Sequence, residues 1–160
     1  MTTPRFDHAN LSPKPFGLFV AFGEALMDCS IEPLLRDLVT TRASQINGCT
    51  FCVDMHVKEA SLHGERPLRL HHLAVWHESP LFSARERAAL AWTETLTKRA
   101  RGEEVDEIFD NIRDHLSDNE ISDLTFLIMA INGWNIANAA TRNTPGSMDA
   151  MLGLDAAGLT

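Results

Sequence analysis

The sequence predicts an all-α fold, a compact helical bundle of about six to seven helices, and three observations carry that reading. Apolar residues recur at three- and four-residue steps through most of the chain. No segment shows sustained period-two alternation, and tyrosine is absent, so strands find little support. Two Ser-x-x-Glu boxes, at Ser83–Glu86 and Ser117–Glu120, each stand before an apolar-periodic run. At 160 residues and 44% hydrophobic, the chain has ample apolar mass for a single-domain core.

Residues 1–15 are polar and proline-spotted and are expected to form an arm, 16–143 the helical domain, and 144–160 a small, weakly patterned tail. Leu18, Phe19, Phe22, Leu26 and Met27 predict a helix over 16–29. Ser30 is the expected cap of the next, with Pro33 in its first turn, where a missing N–H is harmless. Leu34, Leu35, Leu38, Val39 and Ile46 form its stripe, and Asn47-Gly48 stops it. The chain restarts at once: 49–62 reads as a third helix ending near Gly64, and 68–76 as a short fourth. The helix opened by Ser83 should run to about Arg101, and Val105, Ile108, Phe109 and Ile112 mark an amphipathic helix to Leu116. The longest pattern, 121–141, carries Leu124, Leu127, Ile128 and Ile131 and ends at Thr144-Pro-Gly146.

A formal net charge of −8 with no cluster of Lys and Arg speaks against nucleic acid or an anionic membrane surface as partner. The most apolar run, Leu124–Ile131, is far shorter than the roughly 20 residues a membrane span needs. The N-terminus lacks the basic region and uninterrupted apolar core of a secretory signal, so a cytoplasmic address is expected. Three cysteines, Cys29, Cys49 and Cys52, are too few for a disulfide scaffold.

The informative stretch is Gln45-Ile-Asn-Gly-Cys49-Thr-Phe-Cys52-Val-Asp-Met-His56. At about 100° per residue, Cys49, Cys52 and His56 share a helical arc of about 60°, while Asp54 points away. Both cysteines fall in the first turn, where free N–H groups favour thiolate over thiol. His56, one turn beyond Cys52, is placed to take its proton. A thiolate so formed attacks a peroxide or a disulfide, and the second sulfur can resolve the product. Two alternatives stay open: a pair of small buried hydrophobes, or three of four zinc ligands, with Cys29 or a distant histidine as the fourth. A thioredoxin-type domain needs a strand before its CxxC, and here a helix precedes it.

This stretch resembles the redox motif of the alkyl hydroperoxidase D-like proteins, within the carboxymuconolactone decarboxylase superfamily. The resemblance extends over roughly residues 16–143, including Arg36-Asp-Leu-Val-x-x-Arg42 and Ile131-Asn-Gly-Trp-Asn135. It implies two antiparallel helices carrying the site and assembly into a homo-oligomer, a trimer or hexamer. It also implies reduction of a hydroperoxide at the expense of a dithiol, a lipoyl or thioredoxin-like protein, with no further cofactor or metal. By the same resemblance Cys52 is the peroxidatic sulfur, Cys49 the resolving one, and His56 the histidine of a proton relay. The relay's carboxylate falls at Asp37, where the best-studied members have Glu; Phe51 stands where some have a second histidine. The true decarboxylases of the superfamily lack the CxxC pair.

Asp37 also has a purely structural reading, as an acidic residue near a helix N-terminus. Glu24 and Glu32 read as solvated. His71, His72 and His77 with Trp76 suggest an interface or half-buried face, because adjacent histidines diverge on a helix and make no metal pair. Trp134 is expected near the site helix, with Gly133 allowing close approach and the flanking asparagines bonding across a subunit contact. Cys29 reads as an inert small residue. Apolar faces beyond what one bundle buries hint at self-association. Two function classes therefore compete ahead of a zinc-structured binding module: a CxxC peroxidase, and a non-enzymatic protein whose disulfide state alters assembly or partner binding.

Overall fold

Ser83 and Ser117 both close full capping boxes, each side chain accepting from the N–H three residues on while that residue's glutamate reaches back. The computed structural model describes residues 3–159. Among them are nine α-helices, three 3-10 segments and no strand. The helices are α1 (His8–Leu11), α2 (Pro13–Ala25), α3 (Pro33–Ile46), α4 (Thr50–Leu62), α5 (Pro67–His72), α6 (Ala84–Thr97), α7 (Glu103–Arg113), α8 (Asp118–Thr141) and α9 (Asp149–Leu152). No described helix is long and apolar enough to cross a membrane.

Helix α3 is the hub, packing against α4, α6 and α8. Successive residues on a helix point about 100° apart, so α3 can feed two cores at once. Leu35 and Val39 enter a cluster with Trp92 of α6 and Leu124 and Ile128 of α8. Leu38 enters a second with Ala60 of α4, Leu73, Trp76 and Leu90. Nine α3 residues, polar ones included, are buried, so the helix that leads to the cysteines is clamped on nearly every side.

Several expectations shift, each for a local reason. Residues 1–2 of the expected arm lie outside the described residues; in the rest of it Asp7 caps α1, the Arg5 N–H donates to the Thr141 carbonyl at 2.8 Å, and α2 begins at Pro13. Ser30 does not cap α3. Its N–H and hydroxyl both donate to Asp123 of α8, at 2.8 and 2.7 Å, and Glu32 takes the cap position without a side-chain bond. Helix α6 stops at Thr97, short of Arg101, because Arg99 turns left-handed at φ 60°. Trp134 packs on α2, its ring 4.4 Å from that of Phe19, rather than on the site helix. Gly133 permits this approach, since a Cβ there would lie 2.5 Å from the Phe19 ring. The asparagines bond within the chain: Asn47 Nδ2 donates to Asn132 at 2.9 Å and Asn135 at 2.8 Å. Of the histidine patch, His72 is half-buried while His71 and His77 are exposed. His72 meets Ser79, and His77 stacks on Trp76, whose indole is core.

Glu94 holds α6 to its neighbours. Its carboxylate accepts from Arg42 of α3 (2.9 Å), from the Trp76 indole (2.8 Å) and from Lys98 (2.6 Å). Burial alone would push this carboxyl up, but the three donors outweigh it and hold it at about 2. A lowered folded-state value means stability that is complete above the unfolded value and lost as pH falls through the folded one. Urea denaturation should therefore show stability declining between about pH 4.5 and pH 2. Glu94→Gln should cost about 2 kcal/mol at neutral pH and flatten that acid dependence.

Candidate active site

Helix α3 ends and α4 begins within three residues. Asn47 is the C-cap of α3, Gly48 turns left-handed at φ 65°, and Cys49 is already the N-cap of α4. Cys49 thus lies one position outside the helix, in extended backbone, rather than in its first turn. Its sulfur accepts the Cys52 N–H at 3.3 Å, the bond a Ser or Asp cap would make. The two cysteines form a disulfide with Cα atoms 5.3 Å apart. In this form the sulfurs are tied to each other, and no group of three His, Cys, Asp or Glu among the described residues is arranged to hold a metal. Cys29 is free and half-buried.

The two sulfurs are not equivalent. Cys49 retains 8% exposure while Cys52 has none. Cys49 borders a cleft of about 290 Å³ between the start of α4 and the end of α8, lined also by Asn47, Thr50, Asn138, Arg142 and Pro145. Asn138 of α8 also reaches Cys52, its Nδ2 lying 3.5 Å from that sulfur.

His56 stands one turn beyond Cys52 and is buried. Its Nδ1 meets the Glu59 carboxylate at 2.6 Å, and its Nε2 is enclosed without a hydrogen-bond partner. A carboxylate at Nδ1 selects the tautomer with the proton there and leaves Nε2 as the free acceptor. Asp37 is not the carboxylate on His56: its Oδ2 meets His63 Nδ1, at 2.7 Å. Burial pushes the Asp37 carboxyl up, the bond from His63 opposes this, and the nearby Glu59 charge adds to the rise. Two histidine–carboxylate pairs therefore stand close together, His56–Glu59 on α4 and His63–Asp37 bridging α4 to α3. Sequence reasoning missed Glu59 and Asn138. Glu59 was findable, since the i,i+3 step from His56 puts it on the same helix face.

The tail is built into the site. Lys58 of α4 is buried between Asp54 (2.8 Å) and Asp149 of α9 (2.6 Å), and the Gly146 N–H donates to Asp54 at 2.9 Å. These bonds hold Met148 against the cluster of Cys49, Phe51 and Cys52.

Residues 13–95 match the carboxymuconolactone decarboxylase family. The chain belongs to that family. The uncharacterized protein YdfG of Bacillus subtilis (strain 168) is 32% identical over 143 residues, 89% of this chain and 97% of YdfG. A crystal structure of a protein of unknown function from Agrobacterium tumefaciens, described as a candidate antioxidant defence protein AhpD, superposes with a TM-score of 0.85. It is 38% identical and covers 89% of this chain and 98% of its own. The debrominase Bmp8 superposes with a TM-score of 0.76 at 19% identity, covering 91% of this chain and 77% of its own. The fold is therefore the AhpD-like member of the family's range. Because a differently named activity also uses it, the chemistry must be argued from the site.

The cap bond makes a prediction of its own. Among fully reduced proteins, Cys49→Ser should be at least as stable as the wild type, since Ser caps well. Cys49→Ala should lose about 1 kcal/mol, read by urea denaturation under reducing conditions.

Proposed function

We propose that the chain is a CxxC-dependent thiol hydroperoxidase, cycling Cys49 and Cys52 between dithiol and disulfide. The observation that carries this reading is His56. A buried imidazole with one nitrogen held by Glu59 and the other unpartnered, one turn from a redox-capable sulfur, is arranged as a proton acceptor. The AhpD-like relative supports the same class.

In the proposed cycle Cys52 loses its proton to His56 Nε2, and the thiolate attacks the O–O bond of a hydroperoxide. The departing alkoxide takes the proton back from His56 and leaves as an alcohol, with Cys52 as a sulfenic acid. Cys49 then gives up its proton to the same relay and attacks Cys52 Sγ as thiolate; the S–O bond breaks, the departing hydroxide takes that proton and leaves as water, and the disulfide forms. A dithiol donor, such as a lipoyl or thioredoxin-like protein, returns both electrons. Glu59 fixes the working tautomer of His56. Asp37, with its raised carboxyl, and His63, the more exposed member of its pair, are assigned to carry protons onward to solvent. The cytoplasmic setting and trimeric or hexameric assembly belong to this proposal too. Phe126, Met129 and Ile136, exposed along one face of α8, offer an apolar surface for assembly.

Peroxide consumption with a dithiol donor tests the reading. Cys52→Ser should abolish turnover and His56→Gln should lower kcat by roughly 100-fold or more. Glu59→Gln, which keeps the shape but loses the anion, should cost roughly tenfold in kcat with KM unchanged. Unchanged turnover in Cys52→Ser would refute the proposal. A reversible 49–52 disulfide with wild-type turnover at background would favour the non-enzymatic redox-responsive reading instead.

A further inference from the structure

The proposed cycle asks for Cys52 as an anion twice, as nucleophile toward the peroxide and as leaving group when the disulfide is reduced. Its sulfur is fully enclosed, and a buried thiolate without a donor is costly. One side-chain donor touches it. Asn138 Nδ2 lies 3.5 Å from Cys52 Sγ, and its orientation is forced by two other bonds. Its Oδ1 accepts from Asn143 Nδ2 at 2.7 Å, and its Nδ2 donates to the Trp134 carbonyl at 2.9 Å. Trp134 O can only accept, so turning the amide over would set oxygen against oxygen there and nitrogen against nitrogen at Asn143. The second N–H of Asn138 is thereby left for the sulfur.

We infer that Asn138 is a catalytic residue, donating a hydrogen bond to the Cys52 thiolate as charge develops there. The inference deepens the proposed dithiol cycle and rests on it. The accessible sulfur is Cys49, beside the cleft that Asn138 also lines. A thiolate of the dithiol reductant attacks Cys49 Sγ and forms a mixed disulfide. The Cys49–Cys52 bond breaks, and its electron pair leaves on Cys52, beside the Asn138 N–H. The reductant's second thiol then attacks its own sulfur in the mixed disulfide and displaces Cys49, which takes up that thiol's proton. The reductant departs as its disulfide. Exchange is faster the lower the pKa of the departing thiol. A disulfide sulfur is a weak acceptor and a thiolate a strong one, so this bond strengthens along the reaction rather than in the resting state.

The test measures the thiol without any peroxide. In a Cys29→Ser, Cys49→Ser background Cys52 is the one remaining cysteine, and its thiolate is followed by ultraviolet absorbance as pH is raised. Asn138→Asp keeps the shape and the acceptor for Asn143 but turns oxygen toward the sulfur, and Asn138→Leu removes both donors. The titration midpoint should rise by about one pH unit in the Leu variant, a tenfold loss of thiolate, and further in the Asp variant. With both site cysteines restored, reduction of the disulfide by dithiothreitol should slow about tenfold in the same variants. A midpoint unmoved in whichever variant keeps a native circular dichroism spectrum overturns the inference; Asn138→Ser serves if neither folds. A shifted midpoint beside a wild-type protein that turns over no hydroperoxide would sink the peroxidase reading alone.

Discussion

The rest of the site depends on one short constraint, the reversal from α3 to α4 through Asn47, Gly48 and Cys49. Gly48 supplies the left-handed turn, which a side chain would strain. Asn47 is pinned to α8 through Asn132 and Asn135, so the reversal cannot swing. From that fixed point helix geometry does the rest. Cys49 must cap α4, Cys52 falls within its first turn, and His56 sits one turn on. Because α3 and α4 run side by side after the reversal, Asp37, early in α3, meets His63 at the far end of α4. The same turn leaves Cys49 facing the cleft and Cys52 facing α8.

Much of this was legible in the chain, for identifiable reasons. Capping boxes and an Asn-Gly stop are local signals, and both Ser83 and Ser117 behave as their neighbours dictate. Ser30 shows the limit: its hydroxyl suits a cap, but Asp123, distant in sequence, competes for it and wins. The tail failed to declare itself because its anchors are ionic, Lys58 with Asp54 and Asp149, and carry no helical period. Trp134 was expected near the site helix, with Gly133 allowing the approach. A helix sends adjacent residues to different faces, so Asn135 reaches Ser44 while Trp134 turns to α2.

The carboxylate partners illustrate how spacing along a chain differs from adjacency in space. Asp37 stands at the register where a relay carboxylate is expected, yet its hydrogen bond goes to His63. His56 draws its carboxylate from its own helix, three residues on. A Glu reaches back over that step with little distortion. An Asp at position 37, one methylene shorter than Glu, is instead satisfied close to its own backbone by the histidine that α4 brings alongside. The two pairs still sense one another, since the Glu59 charge contributes to the rise of the Asp37 carboxyl.

The hydrogen bonds that reach the sulfurs come from uncharged donors, the Cys52 N–H to Cys49 and the Asn138 amide to Cys52. Dipoles fixed in place stabilise a thiolate differently from a nearby lysine or arginine. Their contribution falls off over a shorter range, is little screened by salt, and costs no reorganisation when the charge appears. It is also smaller, which matters because a thiolate that is too stable is a poor nucleophile, its reactivity falling with its basicity. In the proposed cycle the Asn138 amide stabilises a Cys52 thiolate without that loss. Lys58 with its two aspartates holds the tail over the cysteines.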